Sequence, residues 1–136
     1  MIFVDTSAWY EATADEGPVA DAIERLMNDN AADLATSVPV LTELWPLIAS
    51  RRNATLATAA CLDVSINAEV FTVDREDHDR ALAIMRGWSD QAFSYADATS
   101  FALMARTRID TVLSLDDHFR VYRHGRHRAQ AFHVLP

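Results

Sequence analysis

Four carboxylates in this 136-residue chain, Asp5, Glu43, Asp97 and Asp116, lie far apart in sequence but at similar structural positions. Asp5 ends a short apolar run, Ile2-Phe3-Val4, that reads as a buried strand. Glu43 lies on a helix expected to follow the second strand. Asp97 falls in the first turn of a helix that feeds the fourth strand, and Asp116 comes just after that strand, Thr111-Val112-Leu113. Ligands of parallel α/β sheets bind outside the carboxyl ends of the strands, where all four acids are expected. Taken singly, each has an ordinary explanation. Asp5 and Asp116 suit helix caps, Glu43 suits an exposed helix face, and Ser94-Tyr95-Ala96-Asp97 fits a capping box with Asp in place of Glu. Their convergence is less ordinary, because unit charges about 4 Å apart repel by ~4 kcal/mol at an effective dielectric of ~20. Such a cluster calls for a cation or a shared proton. Hard oxygen donors with no cysteine nearby suit Mg²⁺ or Mn²⁺.

The elements that must position these acids alternate strand and helix. Strands are expected at 2–4, 34–36, 69–73, 111–113 and 132–135. Helices are expected over about Ala8–Ala14, after Gly17-Pro18 with Val19, Ala20, Ile23, Leu26 and Met27 at helical spacing, and from Val38. The helix from Val38 is expected to turn Leu41, Leu44, Trp45 and Ile48 inward and to kink or break near Glu43–Pro46, since Pro46 removes a backbone donor. Further helices are expected over about Ala54–Asn67, over Asp74–Trp88 with Ala81, Leu82, Ile84, Met85 and Trp88 inward, over Ala96–Arg106, and briefly to about Tyr122. Strands separated by helices imply parallel pairing and right-handed crossovers, a three-layer α/β fold. No repeat or linker divides the chain, so residues 1–136 read as one domain.

The order of short motifs resembles a known family. Asp5-Thr6-Ser7 after the first strand, then Thr42-Glu43, Tyr95-Ala96-Asp97-Ala98 and Ser114-Leu115-Asp116-Asp117-His118-Phe119 are similar to a PIN-domain ribonuclease of the VapC toxin type. The resemblance covers the whole chain. It implies a five-stranded parallel sheet in the order 3-2-1-4-5 and a Mg²⁺-dependent endoribonuclease, with Mn²⁺ as a possible substitute. It also implies a homodimer and inhibition by a cognate VapB-like antitoxin. Asp5, Glu43, Asp97 and Asp116 match the family's acidic quartet, with Asp5 and Asp97 as direct metal ligands and Glu43 and Asp116 acting directly or through water. Thr6 or Ser7, and Ser114, match hydroxyls that order the site. The family's last acid follows a Ser/Thr by two residues and precedes an aromatic by three, which selects Asp116, with Asp117 adjacent as a substitute.

Composition bounds the remaining possibilities. Twenty acids against 12 bases give a net charge of −8, and every base is arginine. Taken alone, −8 argues against a polyanion binder, since phosphate affinity comes mainly from neutralising cations. The distribution says otherwise. Residues 1–33 hold eight acids against Arg25, while 118–136 hold Arg120, Arg123, Arg126 and Arg128 with no acid, a candidate surface for RNA phosphates. The single cysteine, Cys61, rules out an internal disulfide, and a reducing cytoplasm is the expected compartment. No apolar run suits a membrane helix. Phosphoryl-transfer receiver domains and haloacid-dehalogenase-like phosphatases use a lysine that this chain lacks. A dinucleotide-binding domain needs a glycine-rich turn, and the glycines here are Gly17, Gly87 and Gly125 alone. The surviving alternative is a degenerate PIN-like module that binds RNA or assembles without cutting. Trp45 and Trp88 are expected in the core, and Trp9 and Tyr10 are candidates for a partner or RNA contact. His124 and His127 suit a solvated basic loop, and His118 is expected to flank the site.

Overall fold

Ile2–Val4 form β1, the middle strand of a five-stranded, fully parallel sheet ordered β3-β2-β1-β4-β5, in a computed structural model that describes residues 1–136. Its neighbours are β2 (Leu34–Ser37) and β4 (Thr111–Leu113), with β3 (Glu69–Phe71) and β5 (His133–Leu135) at the edges. This is the α/β/α architecture and strand order expected above. The helices are α1 (Thr6–Ala14), α2 (Pro18–Asp29), α3 (Val38–Arg51), α4 (Ala54–Asn67), α5 (Arg75–Gly87), α6 (Tyr95–Thr107) and α7 (His118–Val121). None is long and apolar enough to cross a membrane.

Register sets the site. Ile2, Phe3 and Val4 pair with Thr111, Val112 and Leu113, and the Asp5 N–H extends the ladder to Leu113 O at 3.1 Å. The next residues, Asp5 and Ser114, therefore emerge side by side at the same sheet edge. The core beneath them is built on Phe3, Val4, Leu44, Ile48, Phe101, Leu113 and Phe119, all essentially inaccessible to solvent. A large apolar side chain buried this fully contributes roughly 1.5–3 kcal/mol. α6 is buried without interruption from Ala96 to Met104, which its small residues permit. The Thr99 and Ser100 hydroxyls donate back to Tyr95 and Ala96 carbonyls, so no polar group there is left without a partner.

Several expectations are corrected. α1 begins at Thr6, two residues early, because Asp5 supplies the first helical acceptor through its carbonyl (Trp9 N–H to Asp5 O, 3.1 Å) while its carboxylate is engaged elsewhere. β3 stops at Phe71 because its partner β2 ends at the paired Ser37. α3 runs unbroken through Pro46, which lies on the exposed face, where water can satisfy the carbonyl of Thr42. Its buried stripe is Val40, Leu44 and Ile48, four residues apart. Trp45 sits about 100° round the helix, is 40% exposed, and donates its indole N–H to Thr58 Oγ1 at 3.1 Å. Val19 and Leu82 are exposed for the same reason, one position off the stripes that bury Ala20 and Ala81. Trp9, by contrast, is core, only 4% exposed.

Candidate metal centre

Asp5, Glu43, Asp97 and Asp116 are joined by a single hydrogen-bonded network. Asp5, 4% exposed, accepts on Oδ2 from the Ser114 hydroxyl at 3.0 Å and the Ser7 hydroxyl at 3.3 Å. Ser7 also receives the Leu115 N–H at 2.9 Å, tying α1 to the turn after β4. Asp5 is thus not a side-chain cap. Asp97, 5% exposed, does serve the capping box: Ser94 N–H donates to its Oδ2 at 3.0 Å and Ser94 Oγ accepts its N–H at 3.0 Å. The Ser94 hydroxyl in turn donates to Glu43 Oε2 at 3.3 Å, linking α3 to the start of α6. Asp116 accepts the His118 N–H on Oδ1 at 2.9 Å and donates its own N–H to Ser114 Oγ at 3.0 Å.

His118 belongs inside this network rather than beside it. Its Nδ1 lies 2.6 Å from Asp97 Oδ2 and 3.4 Å from Asp116 Oδ1. Two carboxylate oxygens facing one ring nitrogen place a proton on Nδ1. An edge-on contact with Phe93, 5.3 Å between centroids, fixes the ring from the core side. Asp97, Asp116 and His118 each offer a ligand atom within 4.8 Å of one another. In sequence, only its position two residues after Asp116 points to His118, and only the capping-box spacing points to Ser94. Asp117 is exposed at the start of α7 and makes no side-chain cap bond, so Asp116 is the acid that joins the cluster.

Side-chain and capping donors fall on one oxygen of each acid: Oδ2 of Asp5, Oε2 of Glu43, Oδ2 of Asp97 and Oδ1 of Asp116. Thr6 also draws on two of these acids, through its N–H on Asp5 and its hydroxyl on Glu43. No arginine pairs with any of the four. Burial, reinforced by the charges of Asp97 and Asp116, pushes Asp5 up to about 6 against the pull of the Thr6 N–H and the Ser114 hydroxyl. Burial and the Asp97 charge likewise raise Glu43, opposed by the Ser94 hydroxyl. Clustered carboxylates with raised proton affinities and no cationic side chain to neutralise them fit a hard divalent cation.

The candidate arginines make no bond to the four acids. Arg120 donates to Pro136 O at 3.4 Å and Arg123 to the Arg120 and Tyr122 carbonyls at 2.6 and 2.9 Å. Arg128 stacks on Trp88 at 4.2 Å and donates to Gly87 O at 3.0 Å. None of these contacts neutralises a guanidinium.

Comparison with known proteins bears directly on this geometry. A family model described as PIN domain matches residues 2–125. Two curated relatives from Mycobacterium tuberculosis, strains CDC 1551 / Oshkosh and ATCC 25618 / H37Rv, are each called 23S rRNA-specific endonuclease VapC20. Each is 34% identical over 126 residues, spanning 88% of this chain and 92% of the relative. The crystal structure of Mycobacterium tuberculosis VapC20, described as a Sarcin-Ricin loop cleaving toxin, aligns with a TM-score of 0.79 and 28% identity. That alignment covers 86% of this chain and 91% of the other. A toxin–antitoxin complex from Klebsiella pneumoniae aligns with a TM-score of 0.64 over 86% and 88% of the two chains; at 10% identity this likeness speaks for the fold alone. With the strand order, the acidic cluster and these matches in agreement, the chain belongs to the PIN-domain family.

Proposed function

We propose that this chain, as one PIN domain over residues 1–136, is a Mg²⁺-dependent endoribonuclease and the toxin of a type II toxin–antitoxin pair. The observation that carries the reading is the convergence of four acids on one sheet edge with no arginine to neutralise them. Asp5 and Asp97 would hold the cation directly, with Glu43 and Asp116 as direct or water-mediated ligands and Mn²⁺ as a substitute. When bound, such a cation supplies charge neutralisation and Lewis acidity to a phosphodiester. Ser7 and Ser114 hold Asp5 and Ser94 holds Glu43 and Asp97, each by one oxygen, while His118 holds Asp116 through its N–H and fixes it against Asp97. Glu43 is the most solvent-accessible of the four, and its raised proton affinity suits it to accept a proton from an attacking water, with Asp116 in reserve. In-line attack leaves a 5′-phosphate and a 3′-hydroxyl.

The relatives' names make 23S rRNA the first substrate to try. Exposed Trp45, Leu62 and Ile66 on α3 and α4 supply apolar surface for protein partners, which we assign to a VapB-like antitoxin and a second copy of the chain. We place the pair in the cytoplasm. A degenerate module is the weaker reading, since decay would not preserve all four acids in one network. Expression of the chain alone should arrest bacterial growth, and Glu43→Gln should relieve the arrest while accumulating to the same level. Arrest that persists undiminished in that variant overturns the proposal.

A further inference from the structure

At the opposite end of the strands from the carboxylates, a recess of about 550 Å³ opens between the end of α6, the residues entering β4 and the loop after α7. Ile109 and Asp110 precede β4 and Phe132 precedes β5, so the recess lies at the amino-terminal sheet edge. Arg108, at the end of α6, is roughly 16 Å along that helix from Asp97. The two sites are distinct.

One wall is aromatic. The His124 ring lies 4.5 Å from Phe132 at 23°, and 6.2 Å from Tyr122 at 12°. His124 Nε2 is buried without a hydrogen-bond partner. The rim is cationic, with Arg80 and Arg108 facing a single carboxylate, Asp110. Arg108 has no ion-pair partner. Arg80 touches Glu76 at 3.4 Å, an exposed pair that solvent screens.

The backbone holds this arrangement against local preference. Arg108 is left-handed (φ 58°, ψ 34°), at a helix end where glycine or asparagine is usual. The adjoining loop is closed by reciprocal His124–Gln130 backbone bonds of 2.9 and 3.0 Å. Within it, Gly125, His127 and Arg128 are also left-handed, and a methyl group at Gly125 would come 2.9 Å from Gln130 Oε1. Of these residues, Arg108 and Gly125 line the recess itself.

We infer that this recess binds a nucleoside monophosphate unit, with the base against the half-buried His124 ring, which the core residue Phe132 backs, and the phosphate between Arg80 and Arg108. An inorganic anion would need the arginines but not the stacked rings. A neutral aromatic ligand would need the rings but not the arginines. The unit comes either from a free nucleotide or from one residue of an RNA strand. Neither source requires the carboxylate cluster, so the inference stands apart from the nuclease reading.

The test is titration of the full chain with AMP in EDTA, read by amide NMR shifts, so that no divalent cation attracts phosphate to the acidic site. Saturable shifts are expected at Arg108, Gly125 and Phe132. Arg108→Gly should weaken AMP binding at least tenfold without lowering the melting temperature, because glycine accepts φ 58° freely. Arg80→Gln should weaken it in the same direction. If RNA is the source, Arg108→Gly raises KM for a long RNA and leaves kcat unchanged; if free nucleotide is, KM stays constant while AMP binding falls. Either pattern supports the inference. No saturable shift at millimolar AMP, equal affinity in Arg108→Gly, or inorganic phosphate binding as tightly as AMP overturns it.

Discussion

Asp5 holds its proton up to about pH 6, chiefly because burial penalises its charge and secondarily because Asp97 and Asp116 repel it. Without metal, the folded chain therefore binds this proton more tightly than the unfolded chain, whose aspartate titrates near 3.8. Between about pH 4 and pH 6 the folded state carries the extra proton, so the stability it contributes is present at low pH and lost as pH rises through 6. A shift of this size corresponds to at most about 3 kcal/mol. Asp5→Asn should remove that slope and stabilise the metal-free protein above pH 6, as urea unfolding at pH 4, 5, 6 and 7 would show. Equal slopes in the two proteins would contradict the origin given for the shift. At this scale the sequence was informative about acids and poor about their partners. Asp5 and Asp97 stood out by position, whereas Ser94 bridging to Glu43 depends on α3 and α6 meeting 51 residues apart in sequence.

α6 carries Asp97 and is clamped from outside by α5. Asp77, fully buried, receives Arg106 Nε at 2.7 Å and a second guanidinium nitrogen at 2.9 Å while completing the α5 capping box with Asp74. Burial alone would raise Asp77, but the Arg106 hydrogen bonds and charge, with the Asp74 N-cap bonds, hold it below the ordinary carboxylate range. Arg106 is 38% exposed and water can take up its charge, so Asp77→Ala should cost about 1–2 kcal/mol in denaturant unfolding, through the lost hydrogen bonds and capping box. A loss below about 0.5 kcal/mol, as for an ordinary surface substitution, would show that the clamp does not position α6. Elements were easier to read than their faces. All five strands and all seven helices were expected near their observed places, although α3 was expected to kink or break near Pro46 and does not. Helical spacing also predicted a buried Trp45, which the observed stripe of Val40, Leu44 and Ile48 turns outward onto Thr58. Periodicity alone cannot choose between neighbouring stripes about 100° apart.

For the whole molecule, the net charge of −8 is less informative than its placement. Four acids meet at one sheet edge, and a cation there would cancel much of their charge, so RNA affinity should depend strongly on Mg²⁺. The strand order 3-2-1-4-5 was reachable only through resemblance, because alternation implies a parallel sheet without ordering its strands. The recess at the other sheet edge had no sequence signal: Arg80, Arg108 and Phe132 are brought together only by the fold. Whether the acidic cluster cuts RNA with a divalent cation is decided by the cleavage rate of a 23S rRNA fragment. Wild-type chain and Asp97→Asn should be compared in Mg²⁺ and in EDTA. Cleavage is expected from the wild type in Mg²⁺ only, with a loss of at least about a hundredfold in Asp97→Asn. Undiminished cleavage in EDTA, or by Asp97→Asn, would contradict metal-dependent cutting by the cluster.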